Sequence, residues 1–229
     1  PVSRFLREAR VTGQLQHPGI VPVHDVGIDD DGFAYFTMNL VEGMDLGDAF
    51  ALAREGREGW NTGRAVRALA SVADTIAYAH SRGVLHRDLK PANVRVGPFG
   101  EVYVMDWGLA RFVEDELEEH IVAQEPAPTD GLRTVEGAVL GTPAYMPPEQ
   151  ARGAHADLDA RADVYAVGTL LYELLAGRAP YADRRSTTPE EMARDVVRGA
   201  PEPLASAALG APPELIAICE RAMARNRDE

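Results

Sequence analysis

The sequence predicts an α+β fold, and three observations carry that prediction. A helical pattern is followed by two strand-like runs at the N-terminal end, the character turns mostly helical from about Asp45, and two short valine-rich runs flank a glycine-bounded turn mid-chain. In order, Phe5 to Leu15 places apolar residues at helical spacing, and His17-Pro18-Gly19 ends the helix because proline restricts the residue before it. Ile20 to Val26 and Phe33 to Leu40 read as strands around the turn Asp29-Asp30-Asp31-Gly32. Ala65 to His80 repeats Val66, Leu69, Ala70, Ala73, Ile76 and Ala77 at three-to-four-residue intervals, which predicts an amphipathic or buried helix. Val94 to Val96 and Val102 to Met105 predict a small hairpin around Gly97-Pro98-Phe99-Gly100, with Asn93 at one edge and Asp106 at the other. Residues 111–140 hold Pro126, Pro128, Gly131 and Gly137 among acidic residues and read as a long mobile loop. Asp163 to Ala176, closed by Gly177, is apolar nearly all round and so predicts a core helix. Pro189 to Val197 and Pro213 to Ala224 carry helix-start signals.

Composition narrows the function classes. With 229 residues, 45% apolar and 7% aromatic, the chain can bury a sizeable core in one or two domains. A net charge of −13 argues against nucleic acid as a partner, since phosphate binding needs clustered Lys and Arg. Part of the negative charge is local, in Glu114-Asp115-Glu116 with Glu118-Glu119. No run of 18 apolar residues occurs, and Pro1-Val2-Ser3-Arg4 opens nothing like a secretory leader. The single Cys219 excludes an internal disulfide and fits a reducing compartment, so a cytoplasmic location is expected. His17, His24, His80, His120 and His155 show no ligand spacing, which argues against zinc.

The chemistry-bearing residues lie in three motifs. His86-Arg87-Asp88-Leu89-Lys90-Pro91-Ala92-Asn93 is followed, thirteen positions after Asn93, by Asp106-Trp107-Gly108, and later by Gly141-Thr142-Pro143-Ala144-Tyr145-Met146-Pro147-Pro148-Glu149. Taken singly, each has a plainer reading: an Asp before a Lys is a solvated turn, an Asn-Val step caps a strand, and Asp-x-Gly is turn chemistry. Their joint spacing favours the chemical reading.

Together these motifs resemble those of a protein kinase, along almost the whole chain from Phe5 onward. The resemblance implies a two-lobed protein-kinase-like fold, with a partial β-rich small lobe and hinge at 1–44 and a mostly α large lobe at 45–229. Phe5-Leu6-Arg7-Glu8-Ala9 and Pro148-Glu149-Gln150 look like the bacterial serine/threonine members, many of which are receptors whose membrane anchor lies outside the kinase domain. The implied function is ATP-dependent phosphorylation of protein serine or threonine, with Mg²⁺ and a protein substrate as partners. Phosphoryl transfer needs aligned oxygens, cations over the phosphates and a carboxylate that orients the attacking hydroxyl. Asp88 takes the last role, and Lys90 neutralises the transferring group. Asn93 and Asp106 supply oxygen ligands of the hard type that Mg²⁺ prefers.

Other roles follow from the same resemblance. Glu8 pairs with a strand lysine that holds the α/β-phosphates; that lysine and the glycine-rich loop would lie upstream of Pro1, so these 229 residues are expected to bind ATP poorly and to turn over slowly. Met38 falls at the gatekeeper position, with Asn39 and Leu40 as adenine-binding hinge residues, although a plain buried strand explains Phe36, Met38 and Leu40 equally well. Arg87 marks kinases switched by loop phosphorylation. Thr134 is the first candidate phosphosite and Thr129 the second. Thr142 contacts the catalytic Asp and Lys and shapes the acceptor site. His86 and Asp163 are structural, Asp163 accepting hydrogen bonds from catalytic-loop backbone. Trp107 stands where Phe is usual, and its N–H needs a partner. Pro147 stands where Ala is usual and stiffens its segment. Glu149 pairs in the family with an arginine that falls just past Glu229.

Two rival functions differ in class. A pseudokinase scaffold would have no use for Asp88, Asn93 and Asp106 together. A small-molecule phosphotransferase would lack the peptide platform from Gly141 to Glu149.

Overall fold

The computed structural model describes residues 2–112, 141–154, 158–182, 184 and 188–228, with side chains from residue 8 onward except those of 111–112. The expected acidic loop, Thr129 and Thr134 lie outside the described residues.

Helix α1 (Val2–Gln14) precedes an antiparallel hairpin of β1 (Val23–Ile28) and β2 (Ala34–Met38), against which it packs. The hairpin starts later and ends earlier than the apolar pattern suggests. Ile20 instead forms an isolated parallel bridge to Val104, and Leu40 is 90% exposed outside any strand, so the buried-strand alternative fails there. Asp29 closes the turn by accepting the N–H groups of Asp31 and Phe33 on one carboxylate oxygen.

Strand β3 (Met44–Asp45) leads into α2 (Leu46–Glu55), a helix the sequence reading did not delimit. Both of its ends are nonetheless written in residues. Asp45 caps it by accepting the Asp48 N–H at 2.9 Å, and Gly56 ends it at φ 64° with an N–H bond to Leu52. Helix α3 (Thr62–Ser81) is capped by Asn61 and buries Ala65, Ala68, Leu69, Val72, Ile76 and Ala79 on one face. Strand β3 also pairs with β5 (Val94–Val96), which pairs with β6 (Val102–Val104) in the expected hairpin. Strands β4 (Val84–Leu85) and β7 (Arg111–Phe112) form a second small ladder, so the stretch expected to be loop from 111 opens as a strand.

The remaining helices are α4 (Pro148–Ala151), α5 (Ala160–Ala176), α6 (Pro189–Arg198), α7 (Leu204–Ala207) and α8 (Pro213–Ala222). Helix α5 is the core helix expected from its composition, but it begins three residues before Asp163, capped by Asp159. It packs on α2, α3 and α8. At Gly168 the crossing with α8 leaves no room: an added Cβ would sit 2.8 Å from both Ala222 Cβ and Met223 Cγ. Cys219 lies in the same contact, its thiol pushed up to about 12 by burial and pointed at the Gly168 carbonyl. It is therefore an inert packing residue.

Asp163, in the first turn of α5 and 1% exposed, ties this helix to the loop before β5. One carboxylate oxygen accepts the Arg87 N–H at 2.9 Å, and the other accepts the His86 N–H and His80 Nε2, each at 2.8 Å. Burial alone would push this carboxyl up. The hydrogen bond from His80, the field of His86 and the two backbone donors outweigh it and hold Asp163 below the usual carboxylate range.

A depressed folded-state pKa adds stability that is present above the ordinary carboxylate pKa and is lost as pH falls through the depressed value. Asp163→Asn is therefore expected to cost about 3 kcal/mol at neutral pH, with a deficit that narrows below about pH 4, as read by urea denaturation across pH. Gly168→Val is expected to cost about 1–3 kcal/mol in the same assay, because overpacking outweighs the gain from removing a helical glycine.

Candidate active site

The loop between β4 and β5 makes one turn that is costly for residues with a Cβ. Arg87 sits at φ 65°, in the left-handed region, and Asp106 across the neighbouring hairpin sits at φ 56°. Two of the four described non-glycine residues with positive φ are thus themselves motif residues, and such strain, of about 1–3 kcal/mol each, persists only where surroundings over-determine it. Asp163 supplies part of that determination. His86 supplies another part: it is fully buried, donates from Nε2 to the Met105 carbonyl at 3.1 Å, accepts the Asp88 N–H on Nδ1 at 3.3 Å, and meets Trp107 edge-on at 4.8 Å. Its structural role agrees with expectation. Trp107 finds the partner its N–H requires in the Val104 carbonyl at 3.1 Å.

Asp88 is 6% exposed and held on both carboxylate oxygens. Oδ1 accepts the backbone N–H of Thr142 at 3.0 Å, and Oδ2 accepts Lys90 Nζ at 2.8 Å. Lys90 Nζ also donates to Thr142 Oγ1 at 3.0 Å, which closes a three-residue ring across 54 positions of chain. Gly141, at φ 107°, permits this approach, since a Cβ there would stand 3.0 Å from Asp88 Oδ1.

Asn93 donates its side-chain amide to the Asp88 carbonyl at 2.9 Å and, more weakly, to Oδ2 at 3.4 Å. With the nitrogen so committed, the carboxamide oxygen is the end that can serve a cation. The Asn93 carbonyl accepts the Met105 N–H at 2.7 Å, so the residue just before Asp106 is bonded directly to Asn93. The β5–β6 hairpin, with Val94 opposite Val104, thereby brings the two oxygen-bearing residues to the same end of the ladder. The described residues hold no cluster of three His, Cys, Asp or Glu suited to a metal. An amide oxygen and a carboxylate here form a partial donor set of the kind that leaves room for waters and phosphate oxygens.

Glu8 is half-buried on α1, and Met38, Asn39 and Leu40 end β2 or follow it. The Asn39 side chain accepts from His24 Nε2 at 2.9 Å. Arg87 turns its guanidinium back to the Leu109 carbonyl at 2.6 Å. On the far side of Thr142, the Tyr145 hydroxyl donates to Glu173 at 2.8 Å. Burial, then the Glu173 charge, pushes that phenol far up, so it remains a donor, while burial pushes Glu173 up against the opposing Tyr145 bond and Arg54.

Sequence reasoning missed two residues in this neighbourhood. His80 lies on α3, where nothing in its local pattern signals a partner 83 positions away. Gln150, noticed only as part of Pro148-Glu149-Gln150, is buried and donates to the Arg87 carbonyl at 2.6 Å.

Among the described residues no helix is long and apolar enough to cross a membrane. A family model described as protein kinase domain matches residues 2–215. A serine/threonine-protein kinase PknD from Protochlamydia amoebophila is 41% identical over 198 residues, which cover 82% of this chain and 20% of that protein. The Chlamydia abortus protein of the same name is 38% identical over 194 residues, covering 80% of this chain and 20% of its own. One from Chlamydia trachomatis serovar L2b is 36% identical over 238 aligned residues, covering 98% of this chain and 25% of its own. The chain thus spans a fifth to a quarter of the length of the curated relatives it matches. It belongs to the protein kinase domain family, with the α+β fold that family implies.

Proposed function

We propose that this chain carries the phosphoryl-transfer machinery of a serine/threonine protein kinase, moving the terminal phosphoryl group of ATP to a protein hydroxyl. The observation that carries this reading is the ring of Asp88, Lys90 and Thr142, because it joins a fixed carboxylate, a cation and a hydroxyl-bearing residue of the platform segment.

In this reading Asp88 orients the substrate hydroxyl and accepts its proton; both carboxylate oxygens are already directed, so little reorganisation accompanies the reaction. Lys90, between Asp88 and Thr142, offsets charge on the group in transfer. Asn93 and Asp106 would hold Mg²⁺, which would supply positive charge to offset that of the phosphates. Glu8 would hold the lysine that grips the α/β-phosphates. Met38, Asn39 and Leu40 would line the adenine site, Leu40 through its backbone, since its side chain points to solvent. The division into a partial small lobe with hinge at 1–44 and a large lobe at 45–229 belongs to the same reading. So does regulation through Arg87 with a phosphorylated Thr134. The relatives' printed name, serine/threonine-protein kinase, supports the hydroxyl class, as does Lys90 two residues after Asp88.

A protein extended upstream of Pro1 is expected to phosphorylate itself or a basic protein with Mg²⁺-ATP. Asp88→Asn is expected to lower that rate at least about a hundredfold in a radiolabel assay, and undiminished turnover would remove Asp88 from its role. Thr142→Ala keeps the backbone bond to Asp88 but loses the hydroxyl that receives Lys90; it is expected to cost about tenfold in kcat, roughly one hydrogen bond, measured with saturating ATP.

A further inference from the structure

We propose that Gln150 is a positioning residue for the transfer step: its side-chain amide clamps the carbonyl of Arg87 and so makes the geometry of Asp88 depend on the docking of the segment from Gly141 to Ala151. The inference rests on the kinase reading above for what Asp88 does, and on the structure alone for what Gln150 touches.

Gln150 is 3% exposed in the short helix α4. A buried amide is costly unless hydrogen-bonded. Its nitrogen donates to the Arg87 carbonyl at 2.6 Å, 63 positions away. That carbonyl belongs to the peptide joining Arg87 to Asp88, so the bond sets the plane of the peptide from which Asp88 projects. Arg87 is in the left-handed region, and both peptides around it are restrained: the N–H by Asp163 at 2.9 Å, the carbonyl by Gln150. Asp163 lies on the core helix and is in place whenever the domain is folded. Gln150 lies on the segment whose other end holds Asp88 Oδ1 through the Thr142 N–H. The same segment passes close to the Arg87 carbonyl at Gly141, where a Cβ would stand 3.4 Å from it. One restraint on Arg87 is therefore permanent, and the other arrives only when this segment is docked.

The chemistry of the clamp is specific. A carbonyl can be met only by a donor, and the amide nitrogen is one, whereas an ionised carboxylate of the same shape accepts only and would repel it. A carboxyl that has taken up a proton donates again.

The test uses the full-length protein carrying this chain, with Gln150→Met, which keeps volume but removes the donor, and Gln150→Glu. Gln150→Met is expected to lower kcat about tenfold or more with KM for ATP unchanged. Gln150→Glu is expected to fall further at pH 8 and to recover relative to wild type as pH is lowered towards 5.5, because burial raises the introduced carboxyl's pKa and its protonated form restores the donor. A packing role alone would give no such recovery. Independently of turnover, amide hydrogen exchange at His86 to Asp88 is expected to quicken about tenfold in Gln150→Met while the amides of α5 stay protected. Exchange unchanged at these three residues, or a Gln150→Glu deficit that does not vary with pH, overturns the clamp. A wild-type protein that transfers no phosphate overturns the kinase reading instead, and the exchange rates then still decide whether Gln150 holds the loop.

Discussion

The candidate site depends on a buried carboxylate that performs none of its chemistry. Asp163 collects the N–H groups of two successive residues of the β4–β5 loop and a histidine from a third element, so α3, α5 and that loop meet at one side chain. A charge placed this deep is tolerated because each oxygen is answered by donors. What it secures is a backbone conformation: with its N–H held, Arg87 stays at positive φ and the chain turns sharply enough to present Asp88, Lys90 and Asn93 within a few residues. Packing of the core helix and geometry of the site are thus one problem. The close crossing at Gly168, where α5 meets α8, belongs to the same support.

Much of this was legible in the residues because the relevant signals are local. The hairpin joining Asn93 to Asp106 is announced by alternating valines around Gly97-Pro98-Phe99-Gly100, and the core helix by its apolar run and terminal Gly177. The indole of Trp107 needs a partner in any buried setting, which is why that requirement could be stated in advance. Helix α2, whose ends Asp45 and Gly56 mark, lies within the stretch that the sequence predicts only as mostly helical. Strands of two residues at 44–45, 84–85 and 111–112 have no periodicity to read, and pairing alone defines them. Distance along the chain explains the other misses: His80 and Gln150 look like ordinary helical residues until partners 83 and 63 positions away are beside them. The apolar run to Leu40 overstated its strand, since such patterns cannot say where the ladder stops.

Two kinds of restraint converge on Asp88, and they differ in origin. Restraints from His86 and Asp163 are internal to the folded core. Those from Thr142 and Gln150 come from the segment Gly141 to Ala151, more than fifty positions along the chain from the loop they hold. An arrangement of this kind separates being folded from having the site assembled, which is how a catalytic centre can be present in a stable domain and still be conditional.

Trp107 gives the hairpin a further property. Its indole nitrogen is bonded to Val104, three residues earlier on the strand that leads to Asp106, and its ring lies against His86, whose own nitrogen reaches the Met105 carbonyl. Ring, carboxylate-bearing residue and strand end therefore form a single lever. Swinging the aromatic side chain away would strip the indole of its acceptor and take the ring from His86, so an outward excursion of this bulky ring is opposed by two contacts at once.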